Sequence, residues 1–252
     1  MECTGHSHDH NHHDDQGVSL FPEIDIPQVY CLNEHEANAC RGVLKKYEDR
    51  FEIQPTLQSQ RCDDPYDDSD DERPELLLHV PFTEAVAIQS ISIGGIARIF
   101  QNRQNEGEER ELETTATSAP LTVKIFADRL DLDFEIASEL ASDCTIELVS
   151  PEHALEGTSL DYPLRPAGKF RNCTSVTLYF GDNFAYSLHD SEGSTRGEGT
   201  FINIPTEITY VGFKGRGTRV KRKIVEAVYE TRGMKKDHKV PGGDFGASHG
   251  VS

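Results

Sequence analysis

From residue 76 onward, apolar side chains recur at every second position in short runs separated by turn residues, and this spacing limits the fold more than any other feature of the chain. Residues 76–80 (LLLHV) form a short apolar strand that Pro81 is expected to end. Val86 and Ile88 share one phase, whereas Ile91 and Ile93 fall on the other. A shift by one residue turns every side chain to the opposite face, so a bulge or a sheet-to-sheet crossing is expected near Gln89 and Ser90. Gly94 and Gly95 read as the turn that follows. Leu121, Val123 and Ile125 alternate with Thr122, Lys124 and Phe126, and Val176, Leu178 and Phe180 alternate with Thr177 and Tyr179. Further strands are expected over residues 145–149, 208–213 and 224–229. The best helical candidate is the short run 133–140 (DFEIASEL). Long helices do not recur between the strands, which excludes a doubly wound nucleotide-binding fold. The fold class is therefore all-β, a sandwich of antiparallel strands.

At 252 residues and 28.1 kDa the chain is long enough to bury a core without metal or disulfide staples. No apolar stretch approaches the length of a membrane span. The N-terminus lacks the basic region and apolar core of a secretory signal, so Cys3, Cys31, Cys40, Cys62, Cys144 and Cys173 are expected as reduced thiols. With 25 basic and 44 acidic residues the net charge is -19, which argues against a nucleic-acid binder.

The ends differ from the middle. Five of the 11 histidines (His6, His8, His10, His12 and His13) fall in the first 13 residues among Asp9, Asp14 and Asp15, and residues 1–20 read as a disordered His-rich tail. Such imidazoles chelate metals loosely, without implying a physiological site. Residues 20–62 are mixed, with a short helical turn expected between Asn38 and Tyr47 that Gly42 weakens. Seven of the ten residues 63–72 are carboxylates, a self-repelling run expected as an exposed loop. Residues 101–120 form a second long polar loop, and residues 241–252 a C-terminal tail.

Charge is segregated along the chain. Residues 1–213 hold 15 basic and 40 acidic residues, and residues 214–252 hold 10 and 4, so an acidic body of net -25 precedes a basic end of net +6. Lys214, Arg216, Arg219, Lys221, Arg222 and Lys223 form the centre of that end. Its plain reading is a solvated strand face, and its sharper reading is a docking patch for an acidic protein partner.

Signatures of catalysis are missing. GxSxG, HExxH, the P-loop and the dinucleotide-binding glycine pattern do not occur. His189, Asp190 and Ser191 are adjacent, whereas a working triad gathers its members from separate elements. Cys31, His35 and Cys40 cluster, but a second pair of metal ligands is lacking. His79 lies inside an apolar strand and reads as a satisfied core or interface histidine. No catalytic, cofactor-binding or metal-binding residue is assigned, and the chain is read as a non-enzyme.

Scattered blocks resemble one known family, the PITH domain, a proteasome-interacting domain first recognised at the C-terminus of thioredoxin-like proteins. The blocks are Tyr30-Cys31-Leu32-Asn33-Glu34, Arg41-Gly42-Val43-Leu44 and Tyr47-Glu48-Asp49-Arg50. The strongest is Glu75-Leu76-Leu77-Leu78-His79-Val80-Pro81-Phe82-Thr83. Leu132-Asp133-Phe134-Glu135, the run from Phe170 to Leu178, and Tyr210-Val211-Gly212-Phe213-Lys214-Gly215 complete the order. The resemblance covers residues 24–240 and sets the expected domain at 21–240. An acidic insert at 60–74, and Gly217 where many relatives carry tryptophan, depart from the pattern.

The resemblance implies a jelly-roll β-sandwich akin to galactose-binding-like domains, in the cytoplasm and also the nucleus. In thioredoxin-bearing relatives the domain docks on the regulatory particle of the 26S proteasome. The expected role is thus a protein-interaction adaptor, with Lys214 to Lys223 as the candidate face and no cofactor, nucleic acid or membrane as partner. Two alternatives belong to other classes. A lectin-like module would show a concave pocket lined by aromatic and convergent polar groups. A metal- or redox-responsive protein would use the histidine tail with Cys31 and Cys40.

Overall fold

The computed structural model describes residues 17–60, 74–96, 116–151, 160–185 and 204–221, with side chains except those of residues 219–221. In chain order the elements are β1 (Val18–Ser19), β2 (Tyr30–Leu32), α1 (Ala39–Gly42), β3 (Leu57–Gln58), β4 (Leu76–Gly95), β5 (Thr122–Ala127), α2 (Phe134–Glu139), β6 (Cys144–Glu147), β7 (Asp161–Pro163), β8 (Cys173–Phe180) and β9 (Glu207–Lys221). All of these strands pair antiparallel. The described residues belong to one compact unit, residues 1–222. The acidic run 63–72, most of the 101–120 loop, the His189 triplet, the strand expected at 224–229, residues 1–16 of the His-rich tail and the C-terminal tail lie outside the described residues. Residues 17–20, read as the end of the disordered tail, are instead part of the fold: Val18 and Ser19 pair with β9 as β1, and Leu20 is buried in the core.

Strand β4 organises the sheet. Its first part, from Leu76 to Pro81, pairs with β8, and β8 continues through β5 to β6. Strand β2 lies against the other side of that part. Its second part, from Glu84 to Gly95, pairs with β9, while β7 lies on its far side. Strands β1 and β3 add to the outer edge of β9. The curled sheet closes around one core: Leu76, Leu78, Val80, Val123, Ile125, Val176, Leu178 and Phe180 from the first half meet Val86, Ile88, Ile91, Ile208, Val211 and Phe213 from the second. The all-β sandwich expected from the alternation is what forms.

The opposite face of the first half is also covered. Leu77, Phe126 and Tyr179 pack with Ala137 of α2. This burial on both faces explains why residues 76–80 read as a continuous apolar run rather than an alternating one. Asp133 caps α2 by accepting a hydrogen bond from Ile136 N at 2.8 Å, so the short helix expected there forms. His79 is 4% exposed, and its Nδ1 lies 2.9 Å from Thr177 Oγ1. The Thr177 hydroxyl donates to the Arg129 carbonyl, so the His79 nitrogen must donate in turn. It is the satisfied histidine that its sequence context implies.

The phase change between Ile88 and Ile91 corresponds to a register shift between Ile88 and Ser90 against β9. Two expectations are corrected. Pro81 does not end its strand: it sits where β4 breaks register with β8, a place where a missing N–H costs no ladder bond. Its carbonyl accepts from Asp25 N at 2.9 Å. Gly94 and Gly95 are strand residues opposite Tyr210 and Ile208, not a turn. Space requires glycine at the second of them, because a Cβ on Gly95 would lie 2.9 Å from both Ala119 Cβ and Pro120 Cδ.

Where three long connections leave the described fold, polar side chains are fully buried. Thr206 and Asn183 are 0% exposed. Asn183 Nδ2 donates to the Ile204 carbonyl and to Thr206 Oγ1, and Thr206 Oγ1 donates to the Pro74 carbonyl. Thr206 N donates to Ser59 Oγ, Ala185 N donates to Ser118 Oγ, and the Thr117 hydroxyl donates to the Glu207 carboxylate. These bonds tie together residues flanking the segments 61–73, 97–115 and 186–203.

At the register shift, a Cβ on Gly215 would lie 2.0 Å from the Ala87 carbonyl oxygen, a backbone atom that cannot swing aside. Gly215→Ala should therefore destabilise the fold by about 1–3 kcal/mol, as overpacking does. Urea unfolding followed by far-UV circular dichroism measures this, and an unchanged midpoint would contradict the close approach.

Candidate partner-binding strand

Strand β9 carries the basic residues singled out in the sequence, and the structure separates them. Lys214 does not project freely. In register it faces Ser90 on β4, and Ser92 on β4 faces Asp161 on β7. The small serines let the lysine lie across β4 to reach the next strand, where its Nζ pairs with Asp161 Oδ2. The two side chains are 14% and 11% exposed, and the Ser92 hydroxyl donates to the other Asp161 oxygen. Lys214 Nζ also lies 4.0 Å from the centre of the Tyr47 ring.

Tyr47 is shared. The Arg50 guanidinium sits 3.9 Å from its ring centre and 4.2 Å from that of Phe51, while Arg50 Nη1 donates to the Tyr47 carbonyl. Lys45, only 9% exposed, fixes this loop by donating to the carbonyls of Glu52 and Gln54. Tyr210 folds back over Gly212, where a Cβ would fall 2.1 Å from its hydroxyl. Burial, with help from the nearby Asp161 charge, pushes the Tyr210 phenol well above its ordinary range. For Lys214, burial alone would lower the pKa, but the hydrogen bonds to Asp161 and Tyr47 and their charges outweigh it, and the net direction is upward.

The other basic residues differ. Arg216 is exposed, two residues further along the same strand. Lys221 pairs through its backbone with Glu84 at the end of β9. The side chains of Arg219 and Lys221, and the whole of Arg222 and Lys223, lie outside the described residues. Sequence reasoning grouped Lys214 with this set and missed Tyr47, Arg50 and Asp161. Their association spans three separated segments, and neither charge counts nor spacing signals it.

The alternatives also have structural counterparts. Cys31 and Cys40 are buried, whereas His35 is exposed. Burial, then the carboxylate of Glu34, pushes the Cys40 thiol up to about 12, and burial likewise raises Cys31, so both are weak nucleophiles at neutral pH. Among the described residues no three histidine, cysteine or acidic side chains converge as a metal site. A cleft of about 460 Å³ lies beside His35, Asn38, Gln54, Pro55, Thr56 and Gln58. Phenylalanine and tyrosine, the stacking platforms a lectin-like pocket would offer, do not line it. No helix among the described residues is long and apolar enough to cross a membrane.

Lys214 and Arg216 should respond differently to truncation. Lys214→Ala leaves Asp161 charged and nearly buried and should cost about 1–3 kcal/mol, whereas Arg216→Ala should stay within about 0.5 kcal/mol. A raised lysine pKa contributes stability that is fully present below the unfolded value and is lost as pH rises through the folded one. The difference in urea midpoint between wild type and Lys214→Met should thus hold from pH 6 to 9 and shrink above roughly pH 10.4. A flat difference through pH 11 would overturn the ion-pair assignment.

Comparison with known proteins places these features in a family. The sequence model of the PITH domain matches residues 10–233, beginning inside the His-rich stretch. "PITH domain-containing protein 1" of Dictyostelium discoideum is 30% identical over 238 residues, covering 94% of this chain and 93% of that protein. The protein of the same name from Homo sapiens is 25% identical, covering 88% of this chain and 81% of its own length. Among solved structures, CBM32-3 from a family 31 glycoside hydrolase of Clostridium perfringens aligns with a TM-score of 0.40 at 12% identity, covering 77% of this chain and 95% of that one. The family 32 CBM from C. perfringens NanJ, in complex with galactose, aligns with a TM-score of 0.38 at 8% identity, covering 78% and 97%. Matched over most of its length, with its sequence blocks falling on β2, β4, β8 and β9 of one curled sheet, the chain belongs to the PITH domain family.

Proposed function

We propose that the protein is a non-catalytic adaptor that docks on a protein partner, the regulatory particle of the 26S proteasome, through the basic end of β9 and the residues that follow it. It would act in the cytoplasm and nucleus. Family membership supports an interaction module. The observation that carries the choice of surface is the segregation of charge along β9. At its start the Glu207 carboxylate is 0% exposed and bonded to Thr117. Beyond Lys214, whose charge Asp161 already neutralises, Arg216 is exposed and Arg219, Lys221, Arg222 and Lys223 follow. Cations on a fixed strand steer an acidic partner and set its register at little cost in ordering.

The test is co-sedimentation of the full chain with purified 26S proteasomes across a salt series. Saturable binding that weakens as salt rises is expected. Arg219→Glu, Lys221→Glu and Arg222→Glu together should weaken it by about tenfold or more at low salt. Lys214→Met should leave binding unchanged once its lower stability is allowed for. Binding by the triple variant equal to wild type, with the fold intact, would remove the basic strand from the docking surface. Absence of co-sedimentation at micromolar concentration would remove the proteasome as partner.

A further inference from the structure

We propose that the cleft between α1 and β3 binds an extended, uncharged peptide segment, held by the unpaired Gln58 N–H of β3 and by side-chain amides on both walls. Three observations lead there. The first is where strand pairing stops. Leu57 and Gln58 face Ile208 and Glu207 on β9, and Ser59 N donates to the Thr206 carbonyl. Hydrogen-bonded and non-hydrogen-bonded pairs alternate along an antiparallel ladder, so Gln58 turns its backbone groups away from β9. Its carbonyl accepts from His35 N at 2.8 Å, which fixes the direction. The return bond is not made, because the chain leaves β3 at His35 and turns into α1. The Gln58 N–H therefore has no acceptor among the described residues, and the cleft of about 460 Å³ opens beside it. A strand with a free rung takes up an extended peptide by main-chain bonding.

The second is rigidity. Gln54, Thr56 and Gln58 form one wall, and His35, Asn38 and Ala39 the other. The walls meet at Gly42, where a Cβ would lie 2.5 Å from Pro55 Cγ. The wall beside α1 is braced by Glu34, whose carboxylate accepts from Asn38 N at 2.6 Å and from Cys40 N at 3.1 Å. The wall beside β3 is braced by the buried Lys45, whose Nζ donates to the Gln54 carbonyl at 2.9 Å, and by the pairing of β3 with β9. A slot preformed in this way loses little binding energy to ordering.

The third is chemistry. The side chains of His35, Asn38, Gln54, Thr56 and Gln58 hydrogen-bond to no other described residue, so their donors and acceptors are available to a ligand. An asparagine or glutamine amide carries a donor and an acceptor side by side, as a peptide group does, and can pair with a main-chain N–H and C=O together. The cleft volume lies within the roughly 300–1,000 Å³ of small-ligand sites. Among the described residues no lysine or arginine lines it and Glu36 is its single carboxylate, so an acidic segment finds no counter-charge there. The cleft thus selects a different segment from the basic end of β9, and β3 meets β9 at the opposite end of that strand, at Glu207 and Ile208.

Panning the full chain against a displayed library of random heptapeptides tests this without any proteasome, so its outcome is independent of the docking reading. Enrichment of uncharged sequences is expected. The selected peptide, made synthetically, should slow hydrogen exchange of the Gln58 amide by at least about tenfold, with β8 amides unchanged. Gln54→Leu and Gln58→Leu together remove two wall amides but keep the backbone N–H, and should weaken the peptide by about tenfold or more with the urea midpoint unchanged. Arg216→Glu should leave its affinity as it is. A library that yields no binding peptide would overturn the proposal. So would a selected peptide that leaves Gln58 exchange at its free rate, or one that binds the double variant as tightly as wild type. Enrichment of acidic sequences alone, abolished by Arg216→Glu, would overturn it too and assign the capture to the basic strand.

Discussion

The antiparallel pairing of β4 on both of its sides is the constraint on which the rest of the structure depends. One continuous strand belongs to both halves of the sandwich, so the registers of β8 and β9 are fixed relative to each other through a shared backbone. A slip of one residue in either pairing would turn the core side chains of that half to the outside. Two of the irregularities in β4, after Pro81 and after Ile88, reconcile the two registers. Both occur where the sequence offers a residue suited to a break. Pro81 has no N–H to lose from the ladder, and the Ile88 shift lies opposite Gly215, which lacks a Cβ to collide with Ala87.

That arrangement leaves the outer face of the second half lined with small residues, and the Lys214 network grows from this. Ser90, Ser92 and Gly212 leave room for long side chains to lie flat, so Lys214 crosses a strand to reach Asp161 and Tyr210 bends back along its own. A charge that looks available in the sequence is thereby taken up in holding β7, β9 and the Tyr47 loop together. The cations left for a partner begin at Arg216, two residues later on the same strand.

Much of the fold was legible because periodicity is a local signal. The alternation in β5 and β8, the phase change near Gln89 and the short helical run at 133–140 each lie within a few neighbouring residues and were readable there. Pro81 and Gly95 misled because their usual local meaning, a stop and a turn, was overridden by partners far along the chain: Asp25 and Ser175 in one case, Ala119 and Pro120 in the other. The candidate site was legible as composition and not as geometry. Counting charge located the basic end, but nothing local to Lys214 announced that Asp161 would neutralise it, since that pairing exists only after three strands have assembled.

The buried bonds among Ser59, Thr117, Ser118, Asn183, Thr206 and Glu207 have a consequence for how such a chain can change over evolutionary time. They join the feet of three long connections at one place, so the entropy of closing each connection is set by a short, fixed span. Closure entropy rises only logarithmically with length, by about 0.6 kcal/mol for each doubling. Segments rooted there can lengthen, shorten or gain charge while the sandwich below them keeps its register. Sequence novelty, such as the run of acids between Gln60 and Pro74, can accumulate at that end of the protein without a matching change in the core.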